Sequence, residues 1–327
     1  MSYANTMGSQ LCLKESDADD DGPKLPVLEF VGEAEMWSMH DGKPRSKYFA
    51  LTWTDGDDIY LLGDIKPEVY LSGDVDLAKL SKESMLVPRS CYQAIAPDDL
   101  IAAPSPPPED SYLKFPDPCH LVPGEDDEDT VLADTYLREA RVSEFLMKNP
   151  HPNICEYRGY IGAHGRIKGL CVKRYGRNLY CAKRDGDDFD ADRVMDSIRA
   201  GLAHLHGLGY AHNDLNPTNV VLDPEAHAVI IDFGSCIPIG SLLSLCYGTP
   251  PWTNEAKVSS EENDRYGLEK MDVWIHRKFG PPPGESGTDD SDNSDAGDSD
   301  SDVHDSDARE FDAYGEGFVS ENPRAGD

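Results

Sequence analysis

Residues 209–234 read GYAHNDLNPTNVVLDPEAHAVIIDFG, and the rest of the chain is organised around them. Asp214 stands two residues after His212, Asn219 lies five beyond Asp214, and Asp232 closes a second apolar run just before Phe233-Gly234. VVL (220–222) and AVII (228–231) are short β-branched runs separated by the turn-rich DPEAH, a pattern that predicts a hairpin. A hairpin brings its two ends together, so Asn219 and Asp232 are expected side by side. One carboxylate to take a hydroxyl proton, with a carboxamide and a second carboxylate to hold metal on phosphates, is the set that phosphoryl transfer demands. The bland alternative is a hairpin with ordinary turn carboxylates; order, spacing and strand context together count against it.

HNDLNPTN followed by IDFG resembles the catalytic loop and metal-binding DFG of the protein kinase superfamily, and the resemblance runs over roughly residues 110–279. It implies an α+β, bilobal protein kinase-like fold with a β-rich N-lobe and a shortened, mostly helical C-lobe, to which composition adds a disordered acidic C-terminal tail. It implies Asp214 as catalytic base, Asn219 and Asp232 as magnesium ligands, and ATP and magnesium as the cofactors, with His212 and Phe233 packed around them. In SYLKFPDP, Lys114 stands at a position resembling the N-lobe lysine that pairs with phosphates and with a helix glutamate. VLADTYLREARVSEFLMK (131–148) repeats Leu132, Tyr136, Val142, Phe145 and Leu146 near helical spacing and is the candidate for that helix. Glu139 shares its side with Val142 and Leu146 and is preferred to Glu144 as the partner of Lys114.

HPNICEYRGY (151–160) is a second match, and IKGLCVKRYG then leads to a hinge at Arg174-Tyr175-Gly176, where backbone groups would take the adenine edge. On this alignment Lys173 stands at the back of the nucleotide pocket, unless the register slips by one residue. GTPPW (248–252) resembles the anchor before the peptide-binding shelf, and Asp264 is placed to accept hydrogen bonds from the catalytic-loop backbone. The pattern also departs from the family. Residues 74–123 contain no glycine, so no glycine-rich loop precedes Lys114; Asn213 and Asn216 replace an arginine and a lysine; A-P-E is missing after GTPPW; and the last C-lobe helices have no counterpart. In that truncation the chain is similar to kinase-like proteins of fungi.

Composition sets the surroundings. The formal net charge is −32, and residues 280–327 carry fifteen Asp or Glu against two Arg, too little apolar surface to offset ordering entropy. Such acidity argues against nucleic-acid or anionic-membrane partners. Eight scattered Cys without a C-x-x-C pair suit a reducing compartment, and with no signal-like N-terminus or 18-residue apolar run the expected location is intracellular, cytoplasmic or nuclear. The chain divides into a leader (1–26), a β-rich meander that is an extension or the start of the N-lobe (27–90), an N-lobe (91–174), a C-lobe (175–279) and the tail (280–327). Trp37, Tyr48, Phe49 and Trp53 are expected in the meander's core, and residues 77–110 show little pattern. ADRVMDSIRAGLAHLHGLG (191–209) predicts an amphipathic helix with Val194, Ile198, Leu202 and Leu205 on one stripe and His204 and His206 as surface or packing residues.

Three functions fit. The first is a divergent protein kinase, Ser/Thr-directed, acting on a protein substrate. The second is a pseudokinase or scaffold, which the missing glycine loop, Asn213 and Asn216 favour. The third is a small-molecule phosphotransferase of the aminoglycoside or choline kinase type, against which HPNI and GTPPW count.

Overall fold

A computed structural model describes residues 28–40, 43–66, 76–116, 131–243, 248–254 and 256–277. The leader and the acidic tail expected above lie outside these residues, as do residues 41–42 and 117–130.

The first sheet is antiparallel. Strands β1 (Glu29–His40), β2 (Lys43–Thr54) and β3 (Ile59–Ile65) form a meander, and β4 (Met85–Leu86) extends it beside β3. The β2–β3 turn is set by Asp55, whose Oδ1 accepts the N–H groups of Asp57 and Asp58 at 3.0 and 2.8 Å, with Gly56 at φ +96°. Phe49, Leu51, Trp53 and Ile65 form the core of one face; the side chains of Trp37 and Tyr48 are outside the described set. Two short helices, α1 (Leu77–Leu80) and α2 (Arg89–Tyr92), follow, and Cys91 and Tyr92 pack with Ala50, Leu61 and Val87 against Leu132.

Leu132 belongs to α3 (Val131–Met147), which covers a second sheet of β5 (Ser111–Lys114), β6 (Tyr157–Ala163) and β7 (Arg166–Lys173) in the order β5-β7-β6. Tyr136 and Ala140 of α3 meet Tyr157, Ile167 and Leu170 there. Residues 94–103, which show no periodicity, are ordered by contact with this sheet: Tyr160 N–H donates to Ile101 O at 3.0 Å and Ala103 N–H to Tyr160 O at 2.8 Å. The approach is so close that a Cβ on Gly159, at φ +122°, would stand 2.5 Å from the Ala103 nitrogen. Glycine is the residue this crossing requires.

The second half is mostly helical: α4 (Leu179–Arg184), α5 (Ala191–Gly207) and α6 (Glu261–His276), with the paired strands β8 (Tyr210–Ala211) and β11 (Ile237–Pro238) and the hairpin β9 (Val220–Leu222)–β10 (Ala228–Ile230). Asp190 caps α5 by accepting the Arg193 N–H at 3.1 Å, and the stripe Val194, Ile198, Leu202 and Leu205 is buried in the largest core cluster, as its period predicts. Cys91, Cys155, Cys171, Cys181 and Cys236 are buried free thiols. Among the described residues no helix is long and apolar enough to cross a membrane. The fold is α+β, with a β-rich first lobe and a mostly helical second one.

Candidate active site

The β9–β10 hairpin delivers the acceptors. Val221 pairs with Val229 and Val220 with Ile230, and Ile231 N–H donates to Asn219 O at 3.0 Å, so Asn219 and Asp232 emerge together at the open end. Before β9, Pro217–Asn219 makes one 3₁₀ turn, capped by Asn216 Oδ1 on the Thr218 N–H at 2.9 Å. That turn folds Asn219 back on Asp214: its Nδ2 donates to Asp214 O at 2.9 Å and Oδ2 at 3.1 Å. Asp214 Oδ1 accepts the Thr249 N–H at 2.8 Å and Asn216 Nδ2 at 3.2 Å. Burial pushes the Asp214 carboxyl above its ordinary pKa, against the opposing pull of His212 and the Thr249 N–H.

Lys114 reaches the same place from β5. Its Nζ lies 2.8 and 2.9 Å from Glu139 Oε1 and Oε2 and 2.9 Å from Asp232 Oδ1, while Glu144 instead holds Ile101 N–H and Lys148. Burial would lower the ammonium's pKa, but Asp232 and Glu139 outweigh it and hold Lys114 well above the ordinary lysine value. Burial keeps Glu139 raised even beside that charge, whereas Asp232, 41% exposed, is held below its ordinary value by Lys114 in spite of desolvation. Arg138, one residue before Glu139, donates Nη2 and Nε to Gly234 O at 2.9 and 3.3 Å and so fastens α3 to the segment bearing Asp232.

Beneath the loop, Asp264 is fully buried at the start of α6. Its carboxylate accepts the His212 N–H at 2.8 Å, the Asn213 N–H at 2.7 Å and lies 2.8 Å from His206 Nε2. Asn213, at φ +63°, sends Nδ2 to Ala211 O, Ser235 O and Ser259 Oγ at 2.9, 3.1 and 3.1 Å and accepts Asn263 Nδ2 at 3.0 Å. The sequence reading treats Asn213 as the loss of a cation. In the fold it is a neutral bracket with both side-chain polar atoms paired, and His206 is a packing residue of the scaffold, one of the two alternatives read for it.

Residues 122–275 match the protein kinase domain family. Over that stretch, somewhat under half of its length, the chain is similar to protein kinases. Among curated proteins it is similar to the maternal embryonic leucine zipper kinase of Danio rerio (31% identical, 42% of this chain, 21% of that protein) and to the dual serine/threonine and tyrosine protein kinase of Gallus gallus (30%, 37% and 13%). It is also similar to the serine/threonine-protein kinase PSK1 of Saccharomyces cerevisiae, at 28% identity over 34% of this chain and 9% of that protein. The chain thus spans about a fifth or less of the length of these relatives. The family match begins after Lys114 and leaves out the first sheet.

The hinge of this kinase-like chain is partly committed to its own fold. Arg174 N–H donates to Asp110 O at 2.7 Å and Gly176 N–H to Leu222 O at 2.9 Å, and a Cβ on Gly176 would meet that oxygen at 2.6 Å. Of the three hinge residues singled out in the sequence, only Tyr175 has an N–H without a hydrogen bond among the described residues. Strand alternation corrects the position of Lys173. Val172 pairs with Tyr112 and Leu170 with Lys114, so Val172 shares the Lys114 face, whereas Lys173 Nζ turns to the other side, 5.5 Å from the Tyr175 ring centroid. There Lys173 lines a cleft of about 780 Å³ with Pro150, Glu156, Tyr175 and Glu225, a space that includes none of Lys114, Asp214, Asn219 or Asp232. The reach of Arg138, Thr249, Asn263 and His206 into the site is not visible in the sequence, because each acts on a partner distant along the chain. A motif search outward from GTPPW would have found Thr249 alone.

Proposed function

We propose that this chain transfers the γ-phosphoryl group of ATP to a hydroxyl of a protein substrate, the serine/threonine class being the finer reading. The observation that carries it is the meeting of two hydrogen-bonded groups at the open end of the β9–β10 hairpin, Asn219 on Asp214 and Lys114 on Glu139 and Asp232, with Ile231 N–H on Asn219 O joining them. The donor set fits a hard divalent cation: Asn219 Oδ1 and Asp232 Oδ2 take no hydrogen bond among the described residues. Asn219 and Asp232 would hold magnesium, which supplies charge neutralisation on the phosphates when bound. Lys114, fixed by Glu139, adds a positive charge for the phosphate oxygens. Asp214, pinned by Thr249, Asn216 and Asn219, accepts the proton that the attacking hydroxyl releases as its oxygen bonds the γ-phosphorus and the bridging bond to ADP breaks. The names of two relatives, a serine/threonine kinase and a dual serine/threonine and tyrosine kinase, support a protein hydroxyl as acceptor.

A binding-only scaffold is the second reading, and the two committed hinge N–H groups favour it. A magnesium-dependent thermal-shift titration with ATP on wild type and Asp232→Asn tests both together. Stabilisation by ATP that requires magnesium and is lost in Asp232→Asn supports a nucleotide site built on these residues; no stabilisation at millimolar ATP rejects the phosphotransferase.

A further inference from the structure

The family match begins at residue 122, so the first sheet, α2 and the segment that follows α2 lie outside the part shared with protein kinases. Those residues nevertheless meet α3 at both of its ends. At the N-terminal end α2 lies against α3, and Leu132 packs on the cluster of Ala50, Leu61, Val87, Cys91 and Tyr92, drawn from β2, β3, α2 and the residue after β4. At the C-terminal end the buried Glu144 accepts the Ile101 N–H at 3.0 Å. Between these two points the chain is tied to the second sheet. Arg166 Nη1 donates to Gln93 O at 2.8 Å, Ile167 N–H to Ala94 O at 2.9 Å, and Ala96 N–H to Gly165 O at 3.0 Å.

The face of α3 gripped in this way is the one that carries Glu139. Leu132, Tyr136 and Glu139 stand at i, i+4 and i+7, one stripe of the helix. Leu132 packs on the first sheet. Tyr136 donates its hydroxyl to Phe115 O at 2.6 Å and has the Lys114 ammonium 5.7 Å from its ring centroid. Glu139 holds that ammonium at 2.8 and 2.9 Å. Leu132 also touches the cluster of Tyr136, Ala140, Tyr157, Ile167 and Leu170 beneath the helix, so one side chain serves both sheets. A rotation of α3 that took Glu139 off Lys114 would draw Leu132 out of both clusters, since positions seven apart turn together.

We propose that the first sheet, α2 and residues 93–103 form a built-in brace on α3, with Leu132 and Glu144 as positioning residues that keep Glu139 on Lys114 from within the chain. The proposal rests on the reading of Lys114 and Glu139 as part of an ATP site. Val87 is the brace's own contribution to the contact, because it belongs to the first-sheet cluster alone.

In the full chain, Leu132→Ala, Leu132→Met and Val87→Ala are each made alone and in a Glu139→Gln background. Two readouts are taken: kcat/KM for magnesium–ATP, from initial rates of transfer to a fixed protein mixture, and hydrogen exchange of the α3 amides. Leu132→Ala and Val87→Ala are expected to lower kcat/KM about fivefold and to speed exchange across residues 132–139, while Leu132→Met, of nearly equal volume, stays within about twofold of wild type. In the Glu139→Gln background, where the brace has no carboxylate to aim, the alanine substitutions are expected to cost less than about twofold further. A loss of the same size in both backgrounds overturns the proposal, because it marks a structural role, and so does an unchanged kcat/KM in Val87→Ala. If Leu132→Ala does not fold, Val87→Ala, which removes atoms only on the first-sheet side, decides. Should the wild type transfer no phosphate, the phosphotransferase reading falls, and exchange alone judges the brace: faster α3 exchange in Val87→Ala supports it and unchanged exchange overturns it.

Discussion

Lys114 is the residue on which the site's electrostatics turn, because it faces two carboxylates of different exposure. Glu139 is almost wholly buried and Asp232 is open, so the ammonium is satisfied even when one partner is lost. Glu139→Gln is therefore expected to cost at most about 2 kcal/mol of stability, less than breaking an isolated buried pair, yet to lower kcat/KM at least about tenfold by freeing Lys114 to swing. Paired denaturation and kinetic measurements check both halves. For Asp214 the direction of the pKa shift sets a pH profile. Burial raises it above 3.8, and only the ionised form accepts a proton, so the rate falls with acid through a midpoint higher than that value. The raised value also means that ionising Asp214 costs stability as pH climbs from the ordinary value through the folded-state one. A kcat/KM profile with its acid midpoint at or below 3.8 would contradict the burial argument. Asp214, Asn219 and Asp232 are legible in the sequence because one loop and one hairpin hold all three. Arg138 is not, since its meaning depends on the Gly234 carbonyl, far along the chain.

At the scale of elements, α3 is the helix that matters, because it carries Glu139 and touches both the first sheet through Leu132 and Gly234 through Arg138. Arg138→Ala removes two charge-assisted donors from one carbonyl, and about a tenfold loss in kcat/KM for ATP is expected, with Arg138→Lys recovering part of it. Equal activity of the alanine variant would show that α3 is held by sheet packing alone. Helices α3 and α5 are legible from their apolar period, since each buries one stripe against a core. Residues 94–110 are not, because their order comes from backbone bonds to β6 and from the space left by Gly159, neither of which has a periodicity of its own. The one-residue ambiguity at Lys173 has a similar origin: only the β5–β7 register decides which neighbour faces the site.

Across the whole molecule, one buried carboxylate joins the parts. Asp264 binds α6 to the loop before β9 and, through His206, to the end of α5. Asp264→Ala strands two buried N–H groups and is expected to destabilise the fold by about 3 kcal/mol or more, read as a shifted denaturant midpoint. The Asn213 side chain beside it is neutral and bonds Ser235, Ser259 and Asn263, so docking of an added phosphate on this residue is not expected. The central claim is that this assembled platform transfers phosphate. Its most direct test is transfer from γ-labelled ATP with magnesium to a mixture of proteins, comparing wild type with Asp214→Ala at matched nucleotide occupancy. Magnesium-dependent label on serine or threonine that disappears in Asp214→Ala is the predicted result; saturated nucleotide with no transfer, or transfer that survives the substitution, would contradict it.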